Sequence, residues 1–504
     1  MNRNKQVIKN TIWEYGYYLI IVIFGLFAPK LIIEEFGSSV NGLSSTITQI
    51  LNIILLLEAG ATTAAVYTLY EPIAKKDYQQ VAERLYSSTA YFHRLAYLFL
   101  IITLVVAGLS AFVIDTEIEW YFVFIAFVTL GAKSFIDLFF TSKYRILFTA
   151  MQEKFYISIA TLVEQLIYYL LVFLSIFFHW HFVFLFSFLF IGCVGRILVM
   201  EYFFKKKYGE IKQYDKRSTE AFIPGRNYSL ANEVAHSLMS SSAPLIVSFV
   251  YGLKEASVVA IYTLVFSIVS LITTPLYTSF APSFANLIQS ENGETIKVVF
   301  RKFQYIFISI NTILLCTIIY TIVPFVNLYI GNQNDVNYLN PTLALILVLT
   351  NVFSGFRIPY NIIVSSCGFF KETWEQPVYT AVCTIVLSAL LSLIDYPLVF
   401  CGPAVFYFIN YAYQHVKLQK LVCFIDAGTS IKISILSVVA FVFFAFTNKI
   451  IGFEELPFVT WIFLVIITLL SSIVLWTFLS AIFIKPTLFD TWIYIKRMSC
   501  KILK

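Results

Sequence analysis

The sequence is poor in charged residues and has no long polar stretch that could form a separate soluble domain. Asp, Glu, Lys and Arg make up 13% of its 504 residues, whereas apolar residues make up 59%. A water-soluble core of this size needs far more polar surface, so the composition excludes a soluble globular protein. The net charge is only +6, and no segment forms a basic domain, which excludes nucleic acid as a partner.

Cysteine is also scarce, and the sequence lacks the common catalytic and metal-binding motifs. There is no CxxC pair, no HExxH, no phosphate-binding glycine loop and no nucleophile motif. We interpret the cysteines as small hydrophobic side chains and predict a protein that is not an enzyme, with no cofactor and no metal site. The seven cysteines are Cys193, Cys316, Cys367, Cys383, Cys401, Cys423 and Cys500.

What the sequence does contain is a succession of hydrophobic runs, each long enough to cross a bilayer. About 20 apolar residues in a helix span the hydrocarbon core. The first run follows a short polar, basic N-terminus and has no small-residue cleavage site, so we predict that it stays as a membrane helix. The sequence predicts an all-α polytopic membrane protein with fourteen spans: 11–33, 40–68, 86–114, 119–141, 154–178, 181–204, 227–251, 257–285, 299–325, 339–364, 374–395, 398–422, 429–449 and 457–484.

The distribution of Lys and Arg predicts the orientation of these spans. With the N-terminus in the cytoplasm, the outer loops and adjoining span ends carry only Lys254 and Lys449 of the 35 basic residues. Five more lie further inside predicted spans, and all the others fall in inner segments or near the inner ends of spans. Basic residues concentrate on the cytoplasmic side of inner-membrane proteins, so we predict a multi-pass bacterial inner-membrane protein with both ends in the cytoplasm.

The two halves of the sequence share a local pattern. Pro29 precedes Gly37 by eight residues in the first span, and Pro244 precedes Gly252 by eight residues in the seventh. Each glycine is followed by a long helix rich in Ser and Thr. Matched halves of this kind are typical of transporter repeats.

The repeat predicts a division of the chain into four parts. Residues 1–204 and 227–422 are predicted to form two pseudo-symmetric six-helix lobes. Residues 205–226 form a basic cytoplasmic linker, which we interpret mainly as a solvated segment. Residues 423–504 add two extra membrane helices and a basic cytoplasmic tail.

The segment that contains the second span resembles a signature of bacterial polysaccharide flippases. In that signature a Gly–polar–Gly turn leads into a helix that ends LLxxGxxxA. Here the pair at positions 58 and 59 is Glu-Ala, where the family frequently has Asp-Leu. The positions that match are Gly37, Gly42, Leu56, Leu57, Gly60 and Ala64. The helix count, the repeat and the extra C-terminal pair extend the resemblance over nearly the whole chain.

The resemblance implies the O-unit (Wzx-type) flippase branch of the MATE/MOP exporter superfamily. Members have a MATE-like fold, with two six-helix lobes around a V-shaped cavity. They move undecaprenyl-pyrophosphate-linked oligosaccharide from the cytoplasmic to the periplasmic leaflet by alternating access. Binding residues diverge widely in this branch, so the resemblance assigns no individual residue of this chain.

Charged residues inside the spans provide the candidate site. A charge at mid-bilayer costs roughly 2.5–3.5 kcal/mol, so it is retained only with a partner or in a wet cavity. Cationic side chains can bind the phosphate oxygens of an anionic headgroup, and Arg can do so with two hydrogen bonds. An ion pair between residues four apart, or extension of the side chain to the interface, are the structural alternatives. The substrate-binding candidates are Arg94, Lys133, Arg357, Arg196 and, as an exit contact, Lys30.

A second set of ionisable residues suggests ion coupling. A half-buried carboxylate can bind H⁺ or Na⁺ and favour one conformation of a transporter. The alternative for each is a structural ion pair with a neighbouring cation. The candidates are Glu58, Asp137, Glu164, Glu233 and His236.

The sequence therefore predicts a flippase for lipid-linked oligosaccharide, used in the synthesis of O-antigen, capsule or exopolysaccharide. Its partners would be the polyprenyl pyrophosphate-linked glycan, membrane lipid, and a polysaccharide polymerase or glycosyltransferase. The nearest alternatives are a cation-coupled multidrug exporter and a lipid II flippase of the same fold. A multidrug exporter should favour an acidic, aromatic cavity, which the intramembrane cations disfavour.

Overall fold

The computed structural model describes residues 3–58, 61–114, 116–209, 226–331, 335–422, 424–451 and 456–491. Within these ranges the chain is almost entirely helical and contains no strand, so the all-α prediction is confirmed. The helices are α1 (Arg3–Phe36), α2 (Ser38–Leu55), α3 (Ala61–Lys75), α4 (Tyr78–Val113), α5 (Trp120–Ile136), α6 (Ser142–Ala150), α7 (Phe155–Phe177), α8 (Val183–Tyr208), α9 (Arg226–Val250), α10 (Leu253–Ser290), α11 (Gly293–Ile330), α12 (Pro341–Cys367), α13 (Phe370–Thr373), α14 (Glu375–Leu391), α15 (Cys401–Leu421), α16 (Ala427–Ile451) and α17 (Phe458–Phe483).

Ten segments in the described ranges are long and apolar enough to cross a membrane. They correspond to ten of the fourteen predicted spans. The other four spans are helical too, and α1, α2 with α3, α9 and α15 occupy their positions. Of these, α2, α9 and α15 carry many Ser, Asn, Gln or His side chains, which lower their mean hydropathy. The structure thus confirms a multi-pass helical protein, while fourteen remains a predicted number of spans.

The two repeat glycines adopt the same unusual backbone conformation. Gly37 has φ 84° and separates α1 from α2, and Gly252 has φ 100° and lies just before α10. A positive φ is accessible to glycine at little cost. The preceding Pro29 and Pro244 lie inside α1 and α9, where each removes a helical hydrogen bond. The sequence repeat is therefore also a repeat of local structure. Gly60, which matches the flippase signature, lies outside the described residues.

The chain forms two compact units, Met1–Ala260 and Ile261–Lys504. In unit 1 the beginning of α2 packs against α9 and the first turns of α10. Asn41 donates to Ser257 over 2.7 Å, and Thr46 lies 2.8 Å from Ser248. A Cβ atom on Gly42 would overlap the backbone carbonyl of Leu253. Backbone contact at this point requires glycine.

In unit 2 the long helix α11 packs against α12, α16 and α17. The two C-terminal helices contact it through buried hydroxyl groups. Thr312 lies 2.6 Å from Ser437 of α16, and Trp476 of α17 donates to Ser309 over 2.7 Å. These bonds satisfy polar groups that have no access to water inside a membrane.

The division between the units falls inside α10, whereas the predicted lobes divide at the linker 205–226. The contacts of α9 with α2 place α9 in unit 1. Most of the linker, residues 210–225, lies outside the described residues, as does the basic tail from residue 492 onward. The division into lobes stays a prediction.

Candidate functional site

The chemistry of the exposed side chains differs between helices. α17 exposes large apolar groups such as Phe463, Ile467 and Val474, each about 60% or more exposed. In α2 the exposed residues are Thr48 and Asn52. An apolar exposed face suits lipid, and a polar exposed face inside a membrane protein suits water. We therefore interpret α2 as a helix that borders a wet space.

A stripe of ionisable and polar side chains runs along one helix of unit 1, at intervals of four residues. α5 continues through a π-turn, Asp137–Thr141, into α6. Along this continuous helix the stripe comprises Lys133, Asp137, Thr141 and Arg145, and we call it the charged stripe. Its cations and its carboxylate each reach a different neighbouring helix.

The N-terminal part of the charged stripe, Lys133 and Asp137, forms a chain of ion pairs with α7 and α8. Glu164 is fully buried on α7, with its carboxylate 3.5 Å from the Lys133 ammonium and 2.9 Å from the Arg196 guanidinium. Arg196 also donates to Asp137, which accepts a further hydrogen bond from Thr141. Two carboxylates thus surround the buried Arg196. Buried charges of this kind persist because they are paired.

The C-terminal residue of the charged stripe, Arg145, reaches the point where the helix of the second predicted span is interrupted. A 3₁₀ turn, Leu56–Glu58, follows α2, and its Glu58 carboxylate accepts hydrogen bonds from Arg145 over 2.5 Å and from Thr62 over 2.7 Å. The same turn lies against α9. This arrangement links the polar helix α2 to the charged stripe.

Arg145 is the residue that sequence reasoning missed. We assigned it to an inner segment because its predicted span ended at residue 141, whereas the helix continues to Ala150. The four-residue spacing from Lys133 through Asp137 to Arg145 is visible in the sequence and could have identified it. Of the predicted candidates, the structure brings together Lys133, Asp137, Glu164 and Arg196, with Glu58 joined through Arg145.

Other predicted candidates in unit 1 lie away from the charged stripe. Lys30 pairs with Glu34 over 3.8 Å within α1. Arg94 is exposed on α4, on the face that also exposes Leu98 and Ile101. On α9, Glu233 is exposed and His236 is half-buried. The substrate-binding and ion-coupling roles predicted for these four residues stay predictions.

The predicted cation of unit 2, Arg357, is buried on α12 and lies over the ring of Tyr407 at 4.9 Å. One turn further along, Asn361 accepts a hydrogen bond from the buried Gln414 of α15 over 3.0 Å. Among the residues of unit 2 that the structure describes, the buried side chains include several amides and no carboxylate.

No family model matches this chain, and no curated protein matches it in sequence. Solved structures do match its fold. An inward-facing MATE multidrug resistance transporter of the MOP superfamily aligns with TM-score 0.64 and 12% identity, covering 81% of this chain and 98% of that chain. A MOP superfamily transporter from Pyrococcus furiosus Vc1, described as having a binding pocket of reverse polarity, aligns with TM-score 0.60 and 11% identity over 83% and 96% of the two chains.

The lipid II flippase MurJ in an inward closed conformation also matches, with TM-score 0.59 and 15% identity. This alignment covers 95% of this chain and 99% of that chain. These similarities show that the protein has a MATE-like fold, and the matched proteins are transporters and a flippase, not enzymes. At such low identities the similarity shows the fold alone.

Proposed function

We propose that this protein is a flippase for a lipid-linked oligosaccharide, and that it works by alternating access. Its cargo would be a glycan on undecaprenyl pyrophosphate, moved from the cytoplasmic to the periplasmic leaflet of the bacterial inner membrane for the synthesis of a surface polysaccharide. Polysaccharide polymerases and glycosyltransferases are the proposed partners, and the chain ends are proposed to be cytoplasmic.

The observation that carries the proposal is how much of the chain each solved structure covers. The lipid II flippase covers 95% of it, whereas the MATE multidrug transporter covers 81% and another MATE structure covers 89%. A long match to a lipid flippase supports a lipid-linked cargo over a small drug.

The charged stripe supports an anionic headgroup. Lys133 and Arg145 have side chains about a quarter exposed, whereas Arg196 is buried. We expect pyrophosphate to compete with Glu164 and Glu58 for these two cations, because phosphate oxygens are strong acceptors for both groups. Glu58, once displaced, would then take up H⁺ or Na⁺, which would couple ion binding to movement of the cargo, whereas Glu164 would keep Arg196 as a partner. Asp137 would stay paired with Arg196.

Proteoliposomes that contain a fluorescent undecaprenyl-pyrophosphate glycan provide the direct test. We expect the purified protein to move the glycan lipid across the bilayer, and the K133Q/R145Q double variant to lose most of this activity. The matched control is K254Q, because Lys254 pairs with the exposed Glu117 outside the stripe. Full activity in K133Q/R145Q would contradict the site assignment.

The same vesicles separate the alternatives. Transport of lipid II in preference to the glycan lipid would favour the lipid II flippase. Transport of cationic drugs, with none of either lipid, would overturn the proposed function. Replacement of Arg94, Arg357 and Lys30, each by Gln, measures whether these predicted contacts contribute.

A further inference from the structure

The charged stripe depends on the π-turn between α5 and α6. Four residues advance a regular α-helix about 40° beyond a full turn, so three such steps would rotate Arg145 about 120° away from Lys133. A π-turn has bonds from residue i to i+5 and therefore more residues in its turn. This slower winding reverses part of the advance. The π-turn thus helps to keep Asp137 and Arg145 directed at their partners.

The π-turn has a specific contact with α4. His93 of α4 hydrogen bonds through Nε2 to the backbone carbonyl of Phe139, inside the π-turn, over 3.1 Å. Its ring also stacks on the Phe139 ring, with centroids 3.9 Å apart and planes 9° from parallel. A carbonyl can only accept, so Nε2 must carry the proton. His93 therefore holds both the backbone and the side chain of one residue in the turn.

A π-turn disrupts the regular helical ladder, and its carbonyl groups need donors from elsewhere when water is excluded. His93 supplies such a donor. A regular α-helical turn would rotate the part of the helix that follows it and would move the Phe139 carbonyl and ring relative to His93. The hydrogen bond from α4 therefore favours the π conformation over the α conformation.

We propose that His93 is a positioning residue, which fixes the π-turn and thereby aligns Asp137 with Arg196 and Arg145 with Glu58. His93 does not itself contact the cargo. This inference deepens the proposed function by naming what sets the geometry of its cationic site. Its first test is independent of transport.

The test is a double-mutant cycle between His93 and Asp137, read as the unfolding midpoint of the purified protein. H93Q keeps an N–H donor for the Phe139 carbonyl, and H93F keeps a ring for stacking but has no donor. We expect D137N to lower the midpoint of the wild-type and H93Q proteins equally. In the H93F background we expect its effect to fall to about half or less, because residues that share one structural element couple non-additively.

An equal effect of D137N in all three backgrounds would overturn the proposal, because a residue that only packs in the core gives additive effects. F139L provides the matched control, since it removes the stacking partner and keeps the carbonyl. We expect F139L to leave the effect of D137N unchanged.

Hydrogen exchange at the amides of residues 137–146 gives a second measurement, which needs only the folded fraction of H93F. We expect faster exchange in H93F than in F139L, because only H93F lacks the donor, and we expect H93Q to keep wild-type protection. Equal exchange in H93F and F139L would contradict the proposal.

Transport completes the test. We expect H93F to flip the fluorescent glycan lipid more slowly than wild type and H93Q to restore the rate. If wild-type protein moves no glycan lipid, the proposed function fails, and the coupling between His93 and Asp137 still decides the positioning role. If wild type is active and H93F transports at the wild-type rate, the positioning role fails alone.

Discussion

The two compact units bury polar groups in different ways. In unit 1 the charged stripe and its partners are ions held in pairs, with Glu164 and Arg196 almost fully buried. In the described part of unit 2 the buried polar groups are mostly amides and hydroxyls, such as Asn410 and Ser388. An ion pair can change state when a proton or an anion binds, whereas an amide cannot. We therefore expect binding of a proton or an anion to act on unit 1, and we interpret the buried amides and hydroxyls of unit 2 mainly as helix-packing groups.

The packing of α14 on α15 shows what the neutral groups do. Ser388 donates to the backbone carbonyl of Val399 over 2.8 Å, and Gly402 approaches Ser388 closely. Small residues let membrane helices come together, and hydroxyl groups hydrogen bond between them. Small residues and hydroxyl hydrogen bonds are sufficient to hold this interface together.

The largest expected effect is the loss of a buried carboxylate from unit 1. E164L removes the partner that Lys133 and Arg196 share, and the buried guanidinium then lies beside a single carboxylate. We expect the free energy of unfolding to fall by about 3–5 kcal/mol. Denaturant unfolding in detergent measures it, with E117Q as the control because Glu117 is exposed. Equal midpoints for the two variants would show that the pair chain contributes little.

A second variant tests the closest backbone contact in unit 1. G42A places a Cβ atom against the Leu253 carbonyl, where only a backbone shift can relieve the overlap. We expect a loss of about 1–3 kcal/mol in stability from this overpacking. The control is G108A on α4, which has open space around it and should gain about 0.5–1 kcal/mol. If both variants are stabilised, the contact between α2 and α10 is looser than described.

In unit 2 the loss of a buried polar side chain should change the free energy of unfolding only a little. Asn410 is fully buried on α15, and among the described residues neither polar atom of its side chain has a hydrogen-bond partner. N410L replaces it with an apolar group of similar shape, so we expect stability within about 1 kcal/mol of wild type, or higher. The same unfolding measurement applies. A loss as large as that of E164L would remove the contrast between the units.

The smallest expected effect is a pH dependence in the loop before α16 of unit 2. Burial raises the pKa of Asp426, but hydrogen bonds from Thr429 and the charges of Lys297 and Arg301 hold it below its ordinary value of 3.8. A lowered pKa in the folded state stabilises the protein above the ordinary pKa, and this contribution disappears as the pH falls through the folded value.

We therefore expect D426N to be less stable than wild type at neutral pH, and the two midpoints to converge as the pH falls below the ordinary pKa. Thermal unfolding across this pH range measures the difference. The control is D395N, at the turn before Tyr396, which changes an exposed carboxylate in another loop. A difference that grows toward acid would contradict the sign.

The sequence predicts the helices well because run length and bilayer thickness are linked directly. It also predicts the repeat, since the need for glycine at Gly37 and Gly252 comes from local backbone geometry. The sequence does not predict which helices pack against each other. The pairing of Lys133 with Glu164, and of Arg196 with Asp137, depends on how α5, α7 and α8 pack, and residue spacing along one helix contains no such information.

The π-turn is the other feature that the sequence does not reveal. Hydrophobic runs do not distinguish one extra residue in a helical turn, and the predicted span ends at residue 141, which leaves Arg145 outside it. The contact between His93 and Phe139 depends on how α4 packs against the turn, and the sequence of one helix does not reveal it. Local geometry of this kind is decided by tertiary contacts, which override helical preference.

The hydroxyl-mediated attachment of α16 and α17 to α11 has a mechanical consequence. Thr312, Ser309 and Thr317 on α11 form hydrogen bonds with Ser437, Trp476 and Ser472, all within the middle of the helix. Displacement of α11 without its neighbours would break several of these bonds in a medium that offers no replacement. We therefore expect α16 and α17 to move together with α11 as one rigid group. Any tilt of α11 would then also change the contacts of α16 and α17 with the surrounding lipid.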